Sequence, residues 1–387
     1  MQAVSAVDKK QTFSPFDVSC MRRAFTLARL GTGKTSPNPM VGAVLVKDGR
    51  VAGEGWHRCY GEAHAEAEAI QAALAAGFAT DGADLYCTLE PCCFTAPDKR
   101  QPPCTSLIIK SGIKRVFIAN VDPNARVSGK GAAMLEEAGI EVKTGLCTET
   151  GEDLNRAFFM FHRQGRPYVH LKMAQTLDGK VAAPDGGSRW ISDEAARRVV
   201  HRLRGFYDAV LIGAGSVRAD NPALTVRLAK GRNPRRVILD SRLAIPDGAK
   251  LLSLPEPEKT IIIHAHDADS GKAEKLRSRG ARLIAVNAEK TASGGLPLKE
   301  VLAALAEERV QSVLVEGGAG IFSSFLREGL WDRLSLFIAP LILGGGTSAV
   351  SGLGITAMSE ALRFKSGAFR NIGAQTLFEV NRESEQL

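Results

Sequence analysis

Short apolar segments alternate with helical segments along almost the whole chain, and few architectures satisfy that alternation. In the first half, Met40 to Lys47 reads as a buried strand that turns at Asp48-Gly49, with Val51 to Trp56 as its hairpin partner. Ala63 to Ala76, rich in Ala and Glu, reads as a helix stopped by Gly77. Cys20 to Leu30 and Gly131 to Ala138 have helical spacing, and Leu85 to Leu89 and Arg115 to Ala119 read as short strands. From Glu141 the pattern weakens into a helix with three phenylalanines and breaks at Gly165-Arg166-Pro167. A second series of strands follows: Tyr168–Ala174, Ala209–Gly213, Arg236–Asp240, Thr260–Ala265, Arg282–Val286, Ser312–Val315 and Leu334–Ile342. A chain of 387 residues is long for one hydrophobic core. Two α/β domains are therefore expected, over 15–165 and 166–387.

With 44% hydrophobic and 24% charged residues, the composition is that of an ordinary globular protein. Met1 to Ser14 carries Lys9 and Lys10 without an apolar stretch behind them, and no run approaches the roughly 18 apolar residues of a membrane span. A cytoplasmic protein with no membrane partner is expected. In that compartment the seven cysteines read as metal ligands or buried thiols. Cys87, Cys92, Cys93 and Cys104 crowd into one stretch. The net charge of +8 suits an anionic partner, whether nucleic acid or a phosphorylated small molecule. No run of five or six basic residues appears, so a nucleic-acid partner is not expected.

Three features of the first domain converge on metal chemistry. Pro37-Asn38-Pro39 precedes a strand, His64-Ala65-Glu66 opens a helix, and Pro91-Cys92 follows a strand with Cys104 downstream. One His and two Cys leave a tetrahedral zinc with one open position, where a bound water loses its proton near neutral pH. A neighbouring carboxylate then moves that proton to a departing amine, and H-x-E followed by P-C is the pattern of zinc base deaminases. Residues two apart on a continuous helix point to different sides, so His64 and Glu66 meet one ion only beyond the helix N-terminus. Glu68 shares a face with His64 and is the rival base if the site lies along the helix flank.

Residues 20 to 104 carry "TSPNPMVGAVLVKDGRVAGEGWH", "HAE", "TLEPC" and "PPC". In these strings the chain resembles the deaminase domain of the bifunctional riboflavin-biosynthesis deaminase/reductase family. The resemblance implies a cytidine-deaminase-like α/β/α sandwich that hydrolyses an amino group from a diamino-pyrimidinone ribosylamino phosphate. It implies zinc held by His64, Cys92 and Cys104, with Glu66 as general acid/base, Asn38 on the substrate and Cys93 a bystander. Eleven residues separate Cys92 from Cys104, more than the family pattern has. The intervening segment lacks the family's His, and Arg100 is its candidate cation.

From Tyr168 onward, "LKMAQTLDGKVA", "SRWIS", "HRLRGFYDAVLIGAGSVRADNPALTVR", "RRVILDS" and "VEGGAGIFSSFL" resemble, in order, the reductase domain of the same family. That domain is dihydrofolate-reductase-like, α/β and NADPH-dependent. Glu316-Gly317-Gly318-Ala319-Gly320 after an apolar strand is a glycine turn whose backbone N–H groups suit a phosphate, without the full Rossmann fingerprint. By resemblance, Trp190, Ser216, Asp220 and Ser241 line the NADPH site together with Gly318, Ala319, Gly320, Ile321, Phe322, Ser323 and Ser324. Ser188, Arg204, Leu224, Arg227 and Glu316 would contact the substrate, the arginines through forked donors to its phosphate. Lys172 and Asp178-Gly179 also match the family, and Asp178-Gly179 fits a tight turn. The reaction implied is hydride transfer that turns a ribosyl group into ribityl. The partners expected are a phosphorylated pyrimidine and further copies of the chain in a homo-oligomer.

Overall fold

A computed structural model of the chain describes residues 12–95, 101–188, 191–287, 295–364 and 366–382. The chain forms two compact units, one ending at Gln164 and one starting at Gly165.

The first unit contains α1 (Pro15–Ala28), β1 (Gly42–Lys47), β2 (Arg50–Trp56), α2 (Ala65–Ala75), β3 (Asp84–Leu89) and α3 (Cys104–Lys110), then β4 (Arg115–Asn120), α4 (Lys130–Glu137), β5 (Glu141–Thr144), α5 (Thr148–Leu154) and α6 (Arg156–Gln164). Its five strands run in the order β2-β1-β3-β4-β5. β1 is antiparallel to β2 and β3, and β3, β4 and β5 are parallel. Strands covered on both faces read as continuous apolar runs, and β1 shows why. Val44 and Val46 pack against Cys20, Met21, Ala24 and Phe25 of α1. Ala43 and Leu45 face the opposite way, onto Ala65, Ala69 and Ala73 of α2. The result is three layers, helix on sheet on helix. α1 starts earlier than its apolar spacing suggested, because Ser14 and Asp17 form a reciprocal capping box ahead of it. The segment expected to be helical from Glu141 begins instead as β5, whose alternation is hidden by its charged residues and short length.

The alanines of α2 have a packing purpose. A Cβ at Gly53 would sit 2.1 Å from the Ala69 carbonyl oxygen, and one at Gly55 would sit 2.3 Å from that of Ala65. α2 therefore lies directly on the backbone of β2, and its first turn is fixed against the sheet.

The second unit contains β6 (Tyr168–Thr176), β7 (Lys180–Ala182), α7 (Glu194–Phe206), β8 (Ala209–Gly213), α8 (Ala214–Asp220), β9 (Arg235–Leu239), β10 (Thr260–Ala265) and α9 (Ser270–Ser278). It continues with β11 (Arg282–Val286), α10 (Leu298–Glu307), β12 (Ser312–Val315), α11 (Ala319–Arg327), β13 (Arg333–Ala339), β14 (Thr347–Ser348), β15 (Ala368–Ile372) and β16 (Gln375–Asn381). Nine strands form one sheet in the order β11-β10-β9-β8-β12-β6-β13-β16-β15, parallel as far as β13 and antiparallel beyond it. β13 ends at Ala339, short of the expected Ile342, and Pro340 follows at once. β15 and β16 were not read from the sequence. Asp178, read only as part of a turn, also anchors a distant segment: its carboxylate accepts N–H bonds from Leu343 and Gly344 at 3.1 and 2.8 Å. Among the described residues no helix is long and apolar enough to cross a membrane.

Candidate metal centre and cofactor cavity

Two helices begin at one point in the first unit. His64 is the residue that precedes α2, in extended conformation, and Cys104 is the first residue of α3. Cys92 follows β3 and accepts the Cys104 backbone N–H at 3.4 Å. His64 Nδ1 lies 3.2 Å from Cys104 Sγ and 3.5 Å from Cys92 Sγ, and the three donor atoms lie within 4.8 Å of one another. Zinc bound tetrahedrally to imidazole and thiolate places those atoms about 3.6 Å apart. The donor set therefore fits zinc in both chemistry and spacing.

Because His64 stands outside the helix, the helical phase does not separate it from Glu66. Glu66 is 3% exposed and hydrogen-bonded to Cys104. Burial pushes its carboxyl above the ordinary range, against the opposing pull of His64. The rival Glu68 is engaged elsewhere, by Arg58 at 2.9 and 3.1 Å. Cys93 turns away from the cluster, its sulfur 3.9 Å from the Arg126 carbonyl. Arg100 lies outside the described residues. All seven cysteines are free thiols.

His57 is a site residue that sequence reasoning missed. It is buried, and its Nδ1–H donates to the Ala63 carbonyl at 3.0 Å. That leaves Nε2 to accept from Asn38 Nδ2 at 3.2 Å, which orients the Asn38 amide. Burial holds the His57 pKa below its ordinary value, so the ring stays neutral and can accept. Its position at the end of "GEGWH", seven residues before His64, was the available signal. Glu90 is a second omission. Its buried carboxylate accepts four backbone N–H bonds, from Asp122, Gly129, Gly131 and Ala132, at 2.9 to 3.1 Å. These bonds hold the segment before α4 and the first turn of α4 against the end of β3.

In the second unit the C-terminal ends of β8 and β9 and one face of α11 border a cavity of about 740 Å³. Ser241, Gly320, Ile321, Ser323 and Ser324 line it, as does Gly213-Ala214-Gly215. Gly318 precedes α11 at φ 81°, a conformation that glycine adopts readily. Ala319 opens the helix beside it. Ser216 sits against this turn, since a Cβ at Gly317 would lie 2.9 Å from its hydroxyl. The Phe322 side chain is turned into the hydrophobic core with Phe325. Asp220 meets Ser188, whose hydroxyl donates to it at 3.4 Å. Trp190 lies outside the described residues.

The residues expected to meet substrate form a second group. Arg204 of α7 makes a two-pronged ion pair with Glu316 at 2.5 and 2.8 Å, both largely buried. Burial alone would raise the Glu316 carboxyl, but Arg204, with Lys172 and His201, more than reverses this and holds it below the ordinary value. Arg204 also donates to the Thr225 carbonyl at 3.1 Å, and His201, one turn earlier, accepts the Arg227 N–H at 3.0 Å. These two bonds tether the loop of Leu224, itself buried at φ 54°, to one face of α7. Lys172 is half-buried within the electrostatic reach of Glu316 and Arg204, and burial lowers its pKa.

A three-layer α/β unit with a His-Cys-Cys cluster and a buried Glu, followed by a mostly parallel α/β unit with a glycine-turn cavity, defines a zinc deaminase joined to a reductase. The model of the cytidine and deoxycytidylate deaminase zinc-binding region matches residues 15–120, and that of the RibD C-terminal domain matches 167–378. The chain belongs to the RibD family of riboflavin biosynthesis proteins. It is 46% identical to riboflavin biosynthesis protein RibD of Bacillus amyloliquefaciens, over 91% of this chain and 93% of that one. With RibD of Aquifex aeolicus it shares 44% identity over 95% and 98%. Among solved structures, the deaminase/reductase of Thermotoga maritima superposes with a TM-score of 0.82 at 38% identity, covering 95% of this chain and 98% of that one. RibD of Acinetobacter baumannii gives 0.85 at 35% identity, with the same coverage.

Proposed function

We propose that the chain deaminates a diamino-pyrimidinone ribosylamino 5′-phosphate and then reduces the ribosyl group of the product to ribityl with NADPH. The observation that carries the reading is the meeting of His64, Cys92 and Cys104 beside the buried Glu66. We place the deaminase in residues 15–165 and the reductase in 166–387. His64, Cys92 and Cys104 would hold zinc, which lowers the pKa of a water beside it. Glu66 takes the proton of that water and delivers it to the exocyclic amine, which leaves as ammonia while the ring carbon gains the oxygen. Asn38, oriented by His57, holds the pyrimidine.

In the second unit NADPH supplies the hydride. Gly318 to Ser324, Ser216, Ser241, Asp220 and Trp190 bind the cofactor in this reading. Ser188, Leu224, Arg227, Arg204 and Glu316 hold the substrate, Arg227 meeting its phosphate while Arg204 stays paired with Glu316. A phosphorylated metabolite accounts for the basic charge, so no nucleic acid is needed as a partner, and the protein works in the cytoplasm. A homo-oligomer is part of the reading. It is supported by the exposed Ile342, Met358 and Phe369, at 74%, 81% and 69%, and by the edge strand β15.

Purified, zinc-loaded protein given the pyrimidine phosphate should release ammonia without cofactor and oxidise NADPH only after that release. No ammonia release from that protein would remove the hydrolytic half. No NADPH oxidation with the deaminated compound would remove the reductive half.

A further inference from the structure

The start of α7 borders a second cavity, of about 350 Å³. Among the described residues, none assigned above to substrate or cofactor lines it. Its walls are apolar at Ile191, Pro340, Leu341 and Ala374, and polar at Arg197 and Gln375. Ligand pockets begin near about 300 Å³, so one flat ring has room.

Gln375 is 2% exposed, and its Nε2 donates to the Ile191 carbonyl at 2.6 Å. A carbonyl can only accept, so this bond fixes which end of the carboxamide is which. Oε1 is left buried, with no hydrogen-bond partner among the described residues. A buried acceptor in this state calls for a donor. The helix start offers the opposite group. Asp193 caps α7: Oδ1 accepts the Ala196 N–H at 2.7 Å, and Oδ2 accepts the Ala374 N–H at 3.0 Å, which ties the helix to the β15–β16 turn. Glu194 lines the pocket, and its N–H and that of Ala195 have no acceptor within the helix. One buried acceptor and helix-end donors complement a cyclic –NH–CO– edge, which a uracil-type ring presents.

The pocket also continues the substrate group. Arg197, His201 and Arg204 stand at i, i+4 and i+7 on one face of α7. His201 and Arg204 hold the loop of Arg227, and Arg197 of the same face lines the pocket. Ser188 accepts the Ile191 N–H at 3.3 Å. Glu194 and His201 are seven residues apart, a rise of about 10 Å, which suits a ribosylamino-pyrimidine phosphate lying along the helix.

We propose that this pocket holds the pyrimidine ring of the reductase's substrate, with Gln375 Oε1 accepting a ring N–H and the start of α7 meeting a ring carbonyl. The proposal rests on the reductase reading, and NADPH oxidation on the deaminated compound tests the two apart. 5,6-Diaminouracil should inhibit that reaction competitively with the pyrimidine substrate. It should do so at least about 10-fold better than its 1,3-dimethyl derivative, which has no ring N–H to give. Gln375→Met should raise the substrate KM about 5- to 10-fold, leave the KM for NADPH unchanged and abolish the difference between the two inhibitors. Ala374→Leu fills the pocket without altering the buried amide, and so serves even where the Gln375 variant fails to fold. It should raise the substrate KM by a similar factor and weaken both inhibitors. Variants that keep the original substrate KM and inhibitor preference would overturn the proposal. Noncompetitive inhibition by 5,6-diaminouracil would also overturn it, since that pattern marks a separate effector site. If the unmodified protein oxidised no NADPH with the deaminated compound, the reductase reading would fall, and the proposal with it.

Discussion

His64 Nδ1 and Cys104 Sγ, forty positions apart in sequence, lie 3.2 Å apart because α2 and α3 both begin at the metal centre. Neither side chain depends on a mobile loop for its place: the first precedes a helix packed on β2, and the second opens a helix whose N-terminal N–H groups bond to Cys92.

Replacing one thiolate by a hydroxyl removes a soft ligand from a three-ligand site. Cys104→Ser should lower bound zinc from about one ion per chain to under about a tenth. Ammonia release should fall with it, while NADPH oxidation on the deaminated compound stays intact. Elemental analysis beside the two assays checks this.

The close approach of α2 to β2 gives a second prediction. A Cβ at Gly55 has no room 2.3 Å from the Ala65 carbonyl, and so displaces the turn that carries His64 and Glu66. Gly55→Ala should cost about 1–3 kcal/mol of stability, the range for overpacking. It should also reduce deaminase kcat more than the reductase rate. Urea unfolding and the two assays separate these effects.

Much of this was legible in the sequence, for stated reasons. Strands covered on both faces, such as Ala209–Gly213 and Ser312–Val315, are continuous apolar runs, and their bounds were read as they stand. The His-Glu and Pro-Cys spacing located the candidate cluster, because few residue types hold zinc. His57 was missed because its place at the end of "GEGWH" does not say which residue it meets; only the fold brings it to Asn38. Glu90 was missed because its partners are backbone N–H groups, which leave no trace in residue identity. β15 is mostly exposed, with charged and apolar residues in no regular alternation, so its pairing with β16 was invisible.

Arg204 and Glu316 form a largely buried pair, and removing one partner strands the other's charge. Arg204→Ala should destabilise the second unit by about 3–5 kcal/mol and raise the KM of the reductase for its phosphate substrate. In the intact protein Glu316 ionises more readily than in the unfolded chain. Its contribution is therefore full above the ordinary Glu range, near about 4.3, and is lost as pH falls through the lower folded value. Acid unfolding followed with and without Arg204→Ala tests both statements.

His201 acts in a neighbouring pH window. Burial, with Arg204 and Arg227 nearby, lowers its pKa to about 4, so the neutral ring accepts the Arg227 N–H. The unfolded chain takes up the proton first, near about 6.5. Stability should therefore fall as pH drops from about 6.5 towards 4, with a slope of at most about 1.4 kcal/mol per pH unit. His201→Asn keeps an acceptor near the Nδ1 position without titrating, and should flatten that slope while preserving reductase KM. Urea midpoints across the window and KM at neutral pH are the readouts.

The account turns on Glu66 moving protons without binding the metal. The most direct measurement is zinc content and ammonia release of Glu66→Gln beside the unmodified protein. Full zinc, ammonia release reduced by at least about 10³-fold and unchanged NADPH oxidation on the deaminated compound are the predicted result. A Glu66→Gln protein that holds zinc and still releases ammonia at the original rate would contradict it.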